Sequence, residues 1–204
     1  TSGDVEITVN QAADDDYKAG STTFNVTITD STPKTESWVL TDLADLAEGD
    51  VFVIVGNNGS NYAMSNDNGT GSAPSAVSVT IANDEITSEV ADNIKWNISG
   101  NATDGYTFYP NGDATTWLYC TNTNNGVRVG TNTSKTFVID SNYLKHSGTS
   151  RYVGVYNSSD WRCYTNTTGN IASQTFTFYK YEEGASSKVR ESIALSGTYP
   201  ITFH

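Results

Sequence analysis

The chain is poor in sulfur, in positive charge and in long apolar runs. Its 204 residues include two cysteines, one methionine, two histidines and four prolines, and 11 Lys and Arg stand against 23 Asp and Glu. A formal net charge of −12, with the basic residues scattered, supplies no cluster to neutralise phosphates, so nucleic acid is excluded as a partner. The same charge opposes binding to anionic lipid surfaces. No apolar stretch approaches the ~20 residues of a membrane-spanning helix, so no membrane insertion is expected. Charged residues make up only 17% of the chain, and Asn, Thr, Ser and Gly fill the surface instead. Such a surface fits an extracellular or cell-surface setting. The first residues, Thr1-Ser-Gly-Asp-Val-Glu6, have neither a basic region nor an apolar core, and no initiator Met stands at position 1. The expectation is a processed or excised piece of a longer chain. Asn-x-Ser/Thr triplets stand at Asn25, Asn58, Asn68, Asn97, Asn101, Asn132, Asn157 and Asn166, and they matter only in a host that glycosylates them.

Catalytic signatures are also missing. There is no His-Glu-x-x-His, no Gly-x-Ser-x-Gly and no phosphate-binding glycine loop. Ser31-Thr-Pro-Lys34 has the form Ser-x-x-Lys but falls in a Pro-broken linker. His146 borders a hairpin turn and His204 ends the chain, so no Ser/His/Asp set can be assembled. Asp113 and Asp160 each lie near a predicted loop, where Asp commonly caps local backbone amides. Asp14-Asp-Asp16 and Asn66-Asp-Asn68 are oxygen-rich but lack the ligand spacing of a calcium loop. No enzyme activity, cofactor or metal is expected. Cys120 and Cys163 fall on predicted strands of different repeats, leaving either a disulfide or two buried free thiols.

What the chain does have is a four-strand unit written three times. The opening strands are Val51–Val55, Tyr106–Tyr109 and Asn142–Lys145. Gly-bearing turns lead to Asn61–Met64, Trp117–Cys120 and Arg151–Val155, and then to Ala76–Ile81, Gly126–Val129 and Trp161–Tyr164. Each copy closes on an aromatic strand: Lys95–Ile98, Lys135–Ile139 and Gln174–Phe178. The first copy is stretched by insertions around 69–74 and 84–92. A forty-residue period of this kind predicts an all-β barrel of about twelve strands with threefold repetition. Trp96, Phe137 and Phe176 should be buried together at its axis, with Leu118 and Val153 beside them. Thr41–Gly49 predicts one short helix, capped by Thr41 or Asp42, with Leu43 and Leu46 on one face and Gly49 as its stop.

Flanking segments read differently. Val5–Val9 and Thr23–Thr29 alternate with period two, like half-buried strands. The passage Tyr17-Lys-Ala-Gly-Ser21 through Asp30 resembles the last strands of bacterial immunoglobulin-like modules. Ser192–Phe203 resembles the opening strands of another. Trp38-Val-Leu, Leu46-Ala-Glu-Gly-Asp50, Tyr62-Ala-Met64, Arg151–Tyr164 and Phe176–Tyr181 together resemble a β-trefoil-like module of multidomain secreted and surface proteins of gut bacteria. The resemblance implies a β-trefoil-like domain over 38–182. Terminal strands of an immunoglobulin-like module would occupy 1–32, linkers 33–37 and 183–188, and opening strands of a further such module 189–204. The terminal strands are either pieces of excised neighbours or segments that complete neighbouring molecules by strand addition.

Aromatic residues carry the functional expectation. Trp161 with Asp160 and Arg162, and Trp117 with Tyr119 near Asp113, combine flat rings with polar groups, as sugar sites do. If Leu118 points inward, Trp117 and Tyr119 face out. The first reading is a non-catalytic adhesion module that binds glycans or host and microbial surface ligands. The second is a structural spacer or subunit of a stalk, filament or virion decoration, assembled through its terminal β-strands.

Overall fold

The structure, a computed structural model, describes residues 3–16, 18–28, 36–69 and 72–183. The 33–35 part of the first linker, Ser31–Lys34, residues 184–204 with their expected strands, and His204 lie outside the described residues. The described chain is all-β. Two short 3-10 turns, Leu43–Asp45 and Asp92–Ile94, are its only helical pieces among the described residues.

The helix expected over 41–49 does not form. Thr41 still belongs to a strand, Asp42 is extended, and no side chain caps the turn. So few residues cannot offset the cost of a helical nucleus. Gly49 does end the segment, at φ +95°, a conformation that favours glycine.

Among the described residues, seventeen strands follow in chain order. A hairpin pairs β1 (Gly3–Gln11) with β2 (Gly20–Ile28) over nine residues each. It forms a unit separate from the main one, which starts at Glu36 with β3 (Glu36–Thr41). The first repeat holds β4 (Val51–Asn57), β5 (Asn61–Met64), β6 (Ala76–Ser78) and β9 (Trp96–Asn101). Between the last two, the insertion folds as an extra hairpin, β7 (Ile81–Ala82) with β8 (Glu85–Ile86). Its turn residues Asn83 and Asp84 both take positive φ, as tight hairpins require. The second repeat is β10 (Gly105–Pro110), β11 (Trp117–Cys120), β12 (Val127–Gly130) and β13 (Phe137–Asp140). The third is β14 (Tyr143–His146), β15 (Arg151–Tyr156), β16 (Asp160–Tyr164) and β17 (Thr175–Glu183). The main unit therefore has strand at 36–37 and at 183, where linkers were expected.

Opening and closing strands of the three repeats are hydrogen-bonded in the order β14-β13-β10-β9-β4-β17, and the middle strands form the hairpins β5–β6, β11–β12 and β15–β16. The path is open, so the expected barrel is not closed. At the gap, Tyr143 on β14 donates its hydroxyl to the Ile171 carbonyl at 2.9 Å, and its ring meets Phe176 edge-on at 6.0 Å.

Strand β4 is buried on both faces. Phe52 and Ile54 join one core with Trp96, Phe108, Phe137 and Phe178, while Val53 and Val55 join another with Trp38, Ile86, Ile94 and Tyr179. Each such side chain contributes about 1.5–3 kcal/mol by leaving water. Leu118 and Val153 are in the first core, as expected. The aromatic trio needs correction. Trp96 and Phe137 are fully buried, but Phe176 is only partly so, and Phe178 takes the inward place in its repeat. The rings that meet form a row instead: Phe137–Phe108 at 5.7 Å, Phe108–Phe52 at 5.9 Å and Phe52–Phe178 at 6.1 Å. Ile98, two residues beyond Trp96, is buried, whereas Ile139, two residues beyond Phe137, is 44% exposed. The third copy is thus out of step with the first two by two residues, one full strand period.

Candidate functional site

Hairpin β15–β16 presents the most organised polar surface. Its turn places Asn157 and Ser158 at φ 45° and 57°, the twist that keeps two strands in register. The segment before β6 buttresses this turn: Ala76 donates its N–H to Ser159, and Trp161 donates its N–H to Pro74. With period two, Trp161 and Cys163 face the core while Asp160, Arg162 and Tyr164 share the opposite face. Across the ladder, Tyr156 stands beside Asp160 and Gly154 beside Arg162.

The polar groups are tightly coupled. Arg162 Nε donates to Asp160 Oδ1 at 3.0 Å and Nη2 to Oδ2 at 3.4 Å. The guanidinium lies 3.4 Å from the centre of the Tyr156 ring, a cation–π contact. Burial disfavours the Arg162 charge, but Asp160 outweighs it and holds the guanidinium pKa above its ordinary value. Asp160, Arg162 and Tyr156 are all half-buried. Beside them the Tyr164 hydroxyl is buried with no hydrogen-bond partner, and its pKa is pushed up by that burial. Such an unspent donor is uncommon in a folded chain.

Of the six residues singled out in the sequence, this face holds Asp160 and Arg162. Trp161 is corrected: its ring is fully buried, packed against Phe176 at 5.9 Å, with Nε1 donating to the Ala63 carbonyl at 3.4 Å. A side chain so enclosed cannot stack on a ligand. It points inward because it sits one residue from Asp160 on a strand whose faces alternate. Trp117 and Tyr119 lie on the separate β11–β12 hairpin, half-buried and opposite the buried Leu118 and Cys120. Trp117 donates to the Asn132 carbonyl at 2.6 Å, and Lys135 Nζ sits 4.0 Å above its ring. Asp113 serves its own turn, accepting from the Thr115 amide and from the Thr115 and Thr116 hydroxyls, and these bonds lower its pKa to about 2. Tyr156 and Tyr164 escaped the sequence reading. Pairing the two strands about Asn157-Ser158 would have placed both beside Asp160 and Arg162.

The other candidates have structural partners. Asn66 donates to the Asp92 and Lys95 carbonyls, both at 2.8 Å, and Asn68 brackets the backbone of Val129. Asp14–Asp16 are exposed, and the Asp16 amide donates to Asp14. Among the described residues no three His, Cys, Asp or Glu side chains converge as metal ligands. His146 is buried against Phe137, with Nε2 on the Ser134 carbonyl at 3.0 Å and Nδ1 on Thr149 at 2.9 Å. Its Ser134 neighbour is therefore no activated nucleophile, since the nitrogen facing it is committed to the carbonyl. A shallow groove of about 500 Å³ runs past Glu36, Trp38, Glu85 and Glu89. Comparison with protein-family models, curated proteins and solved structures returned no match.

Proposed function

We propose that the chain is a non-catalytic extracellular or cell-surface module that binds glycans through the outer face of β15–β16. The observation that carries this reading is the half-buried Tyr156 ring braced by the half-buried Arg162–Asp160 pair on one strand face. A flat ring beside fixed donors and acceptors suits the apolar face and the hydroxyls of a sugar. The test is saturable binding of the full chain on a glycan array, followed by titration of Tyr156→Ala and Arg162→Ala on any glycan found. Both should weaken binding at least tenfold while the thermal midpoint stays near that of the parent. No bound glycan, or undiminished binding by both variants, overturns it.

The fold that supports this reading is a β-trefoil-like one, with an open ladder, flanked by immunoglobulin-like strands. Three pairs of opening and closing strands and three middle hairpins favour it.

One observation favours the alternative, a spacer or subunit of a stalk, filament or virion decoration joined by strand addition. The β1–β2 ribbon pairs with no further strand among the described residues, and a lone two-stranded ribbon is marginal in water. Deleting residues 1–32 should then abolish assembly and leave the main unit folded. Unchanged assembly would remove this reading.

A further inference from the structure

Two free cysteines meet in the core where the second repeat touches the third. Cys120 ends β11 and Cys163 lies on β16, and both are buried. The chain leaving Cys120 folds over Cys163. Cys163 donates its amide to Asn124 at 2.9 Å, and its sulfur lies 3.3 Å from the Thr123 carbonyl and 3.7 Å from that of Thr121. Arg151 clamps the arrangement: Nη1 donates to Asn124 Oδ1 at 2.9 Å and to the Cys163 carbonyl at 3.1 Å, and Nη2 to the Asn122 carbonyl at 2.8 Å. Both cysteines belong to the same core cluster, and the sulfur of Cys163 reaches the carbonyl of Thr121, the residue that follows Cys120.

We infer that Cys120 and Cys163 form an oxidisable dithiol site that closes into a disulfide between the second and third repeats. The co-reactant is a disulfide-bearing oxidant, either a small molecule or an oxidoreductase. The Cys163 thiolate attacks one sulfur of the oxidant, forming a mixed disulfide and expelling a thiolate. Cys120, deprotonated, then attacks Cys163 Sγ and expels the second thiolate. Two protons leave the pair, and two electrons pass to the oxidant, which ends as two thiols.

The order of attack follows from the surroundings. The Cys120 thiol, followed by the Arg151 and Arg128 charges, outweighs burial and holds the Cys163 pKa below the usual thiol value. Burial pushes that of Cys120 well up. The thiolate is the attacking species, and Cys163 lies directly beneath the exposed loop Asn122–Asn125, its amide on Asn124 and its sulfur on the Thr123 carbonyl, so it meets the oxidant first and Cys120 resolves. Access comes through the loop Asn122–Asn125, which is exposed and covers Cys163. The oxidant is admitted when this loop lifts, or before it docks during folding.

The closing experiment compares the full chain after incubation with dithiothreitol and with oxidised glutathione, the latter with one cycle of unfolding and refolding. Intact mass and peptide mapping are the readouts. The oxidised parent should be lighter by two hydrogens, retain no glutathione and give a linked Cys120–Cys163 peptide. Cys120→Ser should retain one glutathione on Cys163. The oxidised parent should also melt roughly 10 °C higher, since the bridge closes a long loop. Two free thiols after the cycle, glutathione retained on the parent, or a lower midpoint in the oxidised form would each overturn the inference.

Discussion

The Gln174 carboxamide brackets the backbone of Val155. Its Oε1 accepts the Val155 N–H at 2.8 Å and its Nε2 donates to the Val155 carbonyl at 2.7 Å. A side chain thus supplies the two bonds that a neighbouring strand would have made, because β14 pairs only Arg151 and Tyr152 of β15 and leaves that edge open at Val155, while β16 lies along the other edge. Asn68 does the same for Val129 on β12. Short β-strands in this chain are completed by side-chain amides, which gives part of its richness in Asn a physical role.

Gln174→Ala should therefore cost about 2–3 kcal/mol, because it leaves a buried N–H and carbonyl without partners. Urea unfolding measures it. A loss under about 0.5 kcal/mol would mean that water replaces both bonds.

Phe178→Ala and Phe137→Ala should each cost about 3–5 kcal/mol, through lost burial and an unfilled cavity. Phe176→Ala should cost clearly less, since that ring is only partly buried. Equal losses at Phe176 and Phe178 would contradict the register of β17.

Trp161→Ala should destabilise by a similar ~3–5 kcal/mol. Gly56→Ala should also destabilise, because a Cβ there would stand 2.7 Å from Trp161 Cη2 and 2.9 Å from Val155 Cγ2. Thermal unfolding of the two variants checks both. If Trp161→Ala melts like the parent, the ring is not the core group described above.

Acid should weaken the fold through His146. Burial lowers its pKa, against the Ser134 carbonyl, which favours the charged ring. The unfolded chain then binds the proton more readily than the folded one. Stability is at its full value above the ordinary histidine pKa of 6.5, and is lost as pH falls from there through the lowered folded value. The thermal midpoint should drop below about pH 6.5 in the parent, and His146→Gln should flatten that part of the profile. An identical profile in both proteins would assign the acid response to other groups.

The all-β class and most strands were legible in the sequence because strands announce themselves by alternation and turns by Gly and Asn. Asn61–Met64 and Trp117–Cys120 are strands with the boundaries read from the sequence, and most others differ by one or two residues at an end. Composition likewise pointed to Leu118 and Val153 as core and to Asp113 as a turn former, which its own bonds to Thr115 and Thr116 explain. Pattern alone did not fix which of two rings on the same strand face is enclosed by the core. Phe176 and Phe178 are two residues apart on the same face, and only packing against Phe52 selects Phe178. Tertiary structure also turned Trp161 inward and left Asp160 and Arg162 outside with Tyr156, a neighbour supplied by the partner strand. It brought Cys120 and Cys163 into one core cluster across 42 intervening residues. Local sequence encodes strand and turn through backbone preference, whereas cross-strand partners arise from the way separate hairpins dock.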